Sequence, residues 1–390
     1  MGRKLQIVTV VLFVLFLFGF ALGFLFLPDQ SFSEQENRSL RTLPKFTWEK
    51  LSTGRYAEEI NDYFADQFPL RDWLVGLKGC SEIALGKGEN NGVILGEDGQ
   101  LLTRFYNMLL SDGSVRADSD AYDPVTVDAG VEGILRANNA LEIPFAVLLT
   151  GRTLDVAASA SAYPAAGSDA LLEQVRQGLD AGDVNYVDTV PMFRQKYENG
   201  EYVYYKTDHH WTTLGAYYAY EEVLWAFGME EEILPMDAFV RQTVATDFYG
   251  TAWSAGGMKF VAPDTMELWL HGNEDSFTVT ADGMTLEGFY SRRYLEAKDK
   301  FSVFLDGTHD VVTVEKAGEE RPTLVIFKDS FANNLAPFLA QHFDLVLLNL
   351  SSRRDFTNAS ELCREYEADY ALIVYTLENL LTADRLAKLR

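Results

Sequence analysis

From Leu5 to Leu27 the chain carries no charged residue, and only Gln6, Thr9, Gly19 and Gly23 interrupt the apolar run. As a helix, a run of that length rises ~34 Å, enough to cross the ~30 Å hydrocarbon layer of a bilayer. Arg3 and Lys4 precede it and Asp29 follows. The positive-inside rule then keeps the amino terminus cytoplasmic and sends everything after residue 28 outside. A cleaved signal peptide is the competing reading, with Ala21-Leu22-Gly23 as a small-x-small site. Signal cores, however, extend only to ~7–15 residues. An uncleaved anchor over residues 1–28 is therefore expected, and export is common to both readings.

The charge balance follows from that division. Of 33 basic and 58 acidic residues, the first 27 positions hold only Arg3 and Lys4, so the remainder carries −27. Such an acidic domain excludes a generic nucleic-acid binder, which needs a basic face for phosphates. It also favours a neutral glycan over a polyanionic one as partner. Cys80 and Cys363 are the only cysteines, so a disulfide framework and a multi-cysteine zinc site are both excluded.

Residues 29–55 are polar and read as a tether. Helical spacing is predicted over 55–68 and 71–83, which completes a segment ending near residue 90. Beyond it, residues 91–390 show an α/β pattern. Phe145–Leu149, Tyr186–Asp188, Thr323–Phe327, Leu345–Leu350 and Tyr370–Tyr375 read as buried strands alternating with helices. Continuous apolar strands of this kind predict a three-layer sandwich around a parallel central sheet. Between 240 and 320 the pattern changes to short alternating strands such as Thr265–Leu270 and Ser276–Thr280, read as a β-rich insertion.

Sites in open α/β sheets form at the carboxyl ends of strands. Ser330 stands there, in Lys328-Asp329-Ser330-Phe331, between a strand and a helix. It is either a nucleophile beside unpaired helix N–H groups or a plain N-cap. The second segment is Tyr204-Tyr205-Lys206-Thr207-Asp208-His209-His210-Trp211-Thr212. In extended backbone Asp208 and His210 share one face, where a carboxylate can orient an imidazole for proton transfer. A buried polar turn is the bland alternative, and a metal site lacks a third ligand and any spaced histidine cluster. His271, His309 and His342 are isolated and read as structural. Ser330 with Asp208 and His210 supplies one of each triad role.

These residues carry a resemblance. Thr207-Asp-His-His-Trp-Thr212 followed by Gly215-Ala216-Tyr217 resembles the signature of the DHHW family, grouped with the SGNH-hydrolase-like domains of alginate O-acetylation proteins. Glu36-Asn37-Arg38, Asp66-Gln67-Phe68-Pro69-Leu70-Arg71, Phe248-Tyr249-Gly250-Thr251 and Lys328-Asp329-Ser330-Phe331 match in the same order. The resemblance implies Ser330 as nucleophile, His210 as base and Asp208 as its orienter, with no cofactor and no metal. Asp-x-His precedes the serine, similar to the permuted order of the alginate branch. Trp211, Tyr205, Asn333, Arg152 and Arg353 are candidate substrate contacts; Tyr204 and Trp253 are further aromatics able to stack on sugar rings, and Asn334 adjoins Asn333. The resemblance further implies O-acetyl transfer to an exopolysaccharide or cell-wall glycan, with a membrane-bound acyl-transfer partner. A carbohydrate esterase of the same fold and an inactive glycan-binding scaffold remain the rival readings.

Overall fold

The computed structural model describes residues 3–33, 38–103, 108–109, 115–116, 124–160, 168–352, 357–382 and 385–390. The chain divides into two compact units, Met1–Lys87 with Gly257–Phe260, and Gly88–Gly256 with Val261–Arg390.

In the first unit, helix α1 (Arg3–Phe26) is long and apolar enough to cross a membrane. Helices α2 (Arg55–Asp66) and α3 (Arg71–Ala84) follow the predicted spacing, broken at Pro69. The stretch expected to be a loose tether is instead pinned to them. Asp66 accepts two hydrogen bonds from Arg38, at 3.0 and 2.5 Å, and one from the Arg41 peptide N–H at 2.8 Å. The Gln67 amide donates to the carbonyls of Gln30 and Arg41, each at 2.8 Å. These bonds account for Arg38 and the Asp66-Gln67 pair within the matched motifs. Glu36 and Asn37 lie outside the described residues.

The second unit is built on an eight-stranded sheet. Helix α4 (Pro124–Ala140) leads into β1 (Phe145–Thr150), and α5 (Ser168–Asp180) into β2 (Tyr186–Asp188). Then come α6 (Thr213–Ala226), β3 (Val240–Phe248), α7 (Thr251–Gly256) and β4 (Asp264–Leu270). Strands β5 (Phe277–Ala281), β6 (Met284–Thr285) and β7 (Val311–Lys316) complete the β-rich stretch. The last third alternates β8 (Thr323–Lys328), α8 (Ala332–Leu339), β9 (Asp344–Asn349), α9 (Ala359–Glu365) and β10 (Tyr370–Thr376).

The sheet order is β6-β5-β7-β9-β8-β10-β1-β2. From β9 to β2 all neighbours are parallel, as the apolar runs predict. Strands β5, β6 and β7 add antiparallel to that edge, so the insertion extends the central sheet and makes it mixed. Strands β3 and β4 pair antiparallel with each other, apart from this sheet. Alternation along β8 sends Leu324 and Ile326 to one core with α6 and α8. Val325 and Phe327 go to the other, with α4, α5 and α9. Three layers result, because both faces of a parallel sheet must be covered. Cys80 and Cys363 are both free thiols.

Candidate active site

Ser330 stands two residues past the end of β8, the central parallel strand. Helix α8 does not use it as a cap. The N-cap is Phe331, with no side-chain cap bond. The turn is locked by Asp329, whose Oδ1 accepts from the Phe331 N–H at 3.0 Å. Its Oδ2 accepts from the Thr376 N–H at 2.7 Å and the Asn379 amide at 2.8 Å. One carboxylate thus ties the serine turn to the end of β10 and leaves the Ser330 hydroxyl half-exposed.

The hydroxyl meets His210, 120 residues earlier in the chain, with Ser330 Oγ 2.7 Å from His210 Nε2. His210 Nδ1 lies 2.5 Å from Asp208 Oδ1. Burial pushes the Asp208 carboxyl up, but the His209 and His210 imidazoles and the hydrogen bonds it accepts outweigh this. Its pKa therefore lies well below the usual carboxylate range. An ionised Asp208 can only accept, so His210 Nδ1 donates and Nε2 is left to accept the Ser330 proton. The Phe301 ring stacks on the imidazole, with centroids 3.7 Å apart and planes within 7°. That contact limits ring rotation and keeps Nε2 aimed.

The Asp-His-His-Trp-Thr run can be read residue by residue. Thr251 donates to Asp208 Oδ2 from its N–H at 2.8 Å and its hydroxyl at 3.1 Å. His209 Nδ1 lies 2.6 Å from the same hydroxyl. The Trp211 indole donates to Asn334 Oδ1 at 2.6 Å, tying the histidine segment to the helix that carries the serine turn. Thr212 caps α6, its hydroxyl accepting from the Gly215 N–H at 3.2 Å. The segment rests on buried Asp264, which accepts from the N–H groups of Lys206 and Thr207 at 2.8 and 2.7 Å.

Gly250 explains the Phe248–Thr251 motif. A Cβ there would stand 2.2 Å from Asp208 Cβ. Gly250→Ala is expected to displace the carboxylate and lower kcat/KM roughly 10²-fold, the scale of an ångström misplacement. Steady-state ester turnover checks this; an unchanged rate would show that the carboxylate tolerates the shift.

The candidate substrate contacts divide otherwise than expected. Tyr205 and Trp211 are fully buried, and Asn333 is 2% exposed. Both ends of the Asn333 amide are engaged, accepting from Lys328 Nζ at 2.5 Å and donating to the Gly307 carbonyl at 2.9 Å. Arg152 does lie at the end of β1, but forms a buried pair with Asp155 at 2.7 and 2.5 Å. None of these four presents a face to a substrate, because each is spent on packing or on satisfying a buried polar partner. Arg353 lies outside the described residues. Sequence reasoning gave no role to Thr251, Gly250 or Asp329, although all three stood in quoted motifs. Phe301 is one of several aromatics in the β-rich stretch and carried no signal.

Asp208, His209 and His210 offer ligand atoms within 4.8 Å of one another. Those of Asp208 and His210 already bond to each other, to Thr251 and to Ser330. That is a hydrogen-bonded chain rather than a cage with a shared open centre. An open cavity of about 530 Å³, lined by Glu97, Glu201, Tyr202 and Lys206, lies off this chain and includes none of its three members.

Residues 146–308 match the family of the SGNH hydrolase-like domain of acetyltransferase AlgX; the match includes Asp208 and His210 and stops short of Ser330. No curated protein matches the sequence. A solved DHHW family protein from Eubacterium siraeum is similar at 18% identity and TM-score 0.57, over 77% of this chain and 95% of that one. Bacillus cereus PatB1, solved with a sulfonyl adduct, is similar at 20% identity and TM-score 0.59, over 77% of this chain and 100% of that one. The chain therefore has an SGNH-hydrolase-like fold with a mixed central sheet.

Proposed function

We propose that the protein is a membrane-anchored O-acyltransferase that acetylates an exopolysaccharide or cell-wall glycan outside the cytoplasm. The observation that carries the reading is the continuous chain Ser330 Oγ–His210 Nε2 and His210 Nδ1–Asp208 Oδ1, at 2.7 and 2.5 Å. Both distances are within direct proton-transfer reach.

In the first half-reaction Ser330 Oγ attacks the acyl carbonyl of a donor while its proton passes to His210 Nε2. Asp208 stays ionised and stabilises the imidazolium. The tetrahedral oxyanion collapses, and the departing donor oxygen takes the proton from Nε2, leaving an acyl-serine. A glycan hydroxyl then attacks the ester carbonyl, gives its proton to Nε2, and Ser330 Oγ regains it on release. The fall in dipole energy at the start of α8 favours negative charge near Ser330. With Arg3 and Lys4 in the first turn of α1 and Asp29 after its end, the second unit faces outward. A membrane-bound acyl donor partner fits that placement.

Incubating the full chain with an activated acetyl ester should add one acetyl group to the peptide containing Ser330, seen by mass spectrometry. A neutral oligosaccharide should then discharge it faster than water does. Discharge by water alone would make the protein an esterase, and no adduct on Ser330 would leave a glycan-binding scaffold.

A further inference from the structure

The apolar residues of the first unit are distributed in a way that a single membrane-crossing helix does not explain. The elbow between α2 and α3 packs on the outer end of α1. Phe68 stacks on Phe20 with centroids 5.0 Å apart, and Phe64 lies 4.9 Å from Phe24. Between these rings the helix has Gly23, where a Cβ would come within 3.1 Å of the Pro69 ring. Phe20, Gly23 and Phe24 precede the helix end at Phe26 by two to six residues, so the elbow reaches ~3–9 Å below that end.

At that depth the elbow turns apolar side chains outward. Leu70 is 64% exposed and Trp73 56%, with Phe64, Phe68 and Leu77 also exposed. Leu70 holds this position at φ 59°, a left-handed conformation unfavourable for a non-glycine residue. In water both the strain and the exposure are unfavourable; in lipid the exposure becomes burial. An open cavity of about 410 Å³ lies beside the elbow, walled by Leu27, Phe68 and Trp73 and edged by Arg71 and Lys259 together with Asp66 and Asp72. Apolar walls with a rim of both charges suit the boundary between acyl chains and zwitterionic headgroups.

Charge does not oppose this. Apart from Arg3 and Lys4 at the inner end of α1, the first unit holds 9 basic and 10 acidic residues, a net of −1, whereas the second carries −26. The part of the chain beside the outer leaflet is thus nearly neutral.

We infer that the α2–α3 elbow, Phe64 to Trp73, is a second membrane contact that lies in the outer leaflet with phospholipid against Leu70 and Trp73. The inference rests on α1 being a membrane anchor. Helix α3 ends three residues before the second unit begins, so that unit would start from a bilayer-bound element rather than from a free tether.

The test uses the full chain reconstituted in liposomes. Flotation through alkaline carbonate reports the anchor by itself. The fluorescence of Trp73, taken as wild type minus Trp73→Phe, should be quenched by phospholipids brominated high on the acyl chain and shielded from aqueous iodide. Leu70→Trp in the Trp73→Phe background gives an independent probe with the same expected result. Leu70→Asp should raise iodide access to Trp73 without abolishing flotation. Flotation with both tryptophan probes open to iodide and untouched by brominated lipid overturns the elbow contact alone and leaves that face to a protein partner. Loss of flotation overturns the anchor and the elbow together.

Discussion

Replacing Asp208 with Asn is expected to lower kcat/KM for an acetyl ester by about 10⁴, the scale of losing the orienting carboxylate of a serine triad. The direction follows from hydrogen-bond polarity. Asp208 Oδ2 accepts from both the N–H and the hydroxyl of Thr251. In the variant the amide oxygen stays on that side, because a peptide N–H needs an acceptor. The amide NH₂ then faces His210 Nδ1, where Oδ1 now accepts from the ring and from the His210 peptide N–H at 3.0 Å. Imidazole must switch tautomer, its Nε2 becomes a donor, and Ser330 loses its base. Packing changes little, so the thermal midpoint should move far less than the rate. Turnover of p-nitrophenyl acetate with a parallel melting curve checks both. A rate near wild type would remove Asp208 from the mechanism and leave it a turn residue.

Lys328→Met is expected to change stability with a pH dependence that identifies a buried cation. Lys328 is 1% exposed at the end of β8, and burial lowers its pKa to about 8. In the unfolded chain the amine titrates near its ordinary value of about 10.4. Below pH 8 it is charged in both states, and the folded state bears the full burial cost. Between about 8 and 10.4 the unfolded chain binds more protons, so this group's contribution to stability rises with pH. The whole rise is roughly 3 kcal/mol. Met removes that cost but leaves Asn333 Oδ1 unpaired, worth about 1–3 kcal/mol. At pH 7 the two nearly cancel. At pH 10 only the loss remains, so the variant should become progressively less stable than wild type as pH rises. Denaturant midpoints measured at both pH values decide it, and a pH-independent difference would mean that folding leaves the Lys328 amine unshifted.

Parts of the site were legible because they are local. Asp208 and His210 share a face at a spacing of two, and Thr212 caps the helix that follows them, as short-range rules require. For Ser330 those rules favoured a plain cap, and it is not one. Its orientation depends on Asp329 reaching Thr376 and Asn379 across the sheet, contacts with no trace in the serine's own neighbourhood. Trp211 and Tyr205 illustrate the opposite error. Aromatic residues beside a catalytic motif resemble a sugar platform in one dimension, yet their large apolar area draws them into the core.

The sequence by itself determined the helix long and apolar enough to cross a membrane, the uneven distribution of charge, and the alternation of buried strands with helices. Each depends on hydropathy or periodicity over a few residues, which survives without knowledge of neighbours in space. Tertiary structure alone decided that three antiparallel strands of the insertion join the central sheet and that polar residues near the anchor fold onto α2 and α3. It also decided that Gly250 must lack a side chain, that Phe301 fixes the imidazole, and that Ser330 meets a histidine 120 residues away. Those outcomes rest on close approach between distant segments, and only the packed chain specifies which groups must fit within one another's reach.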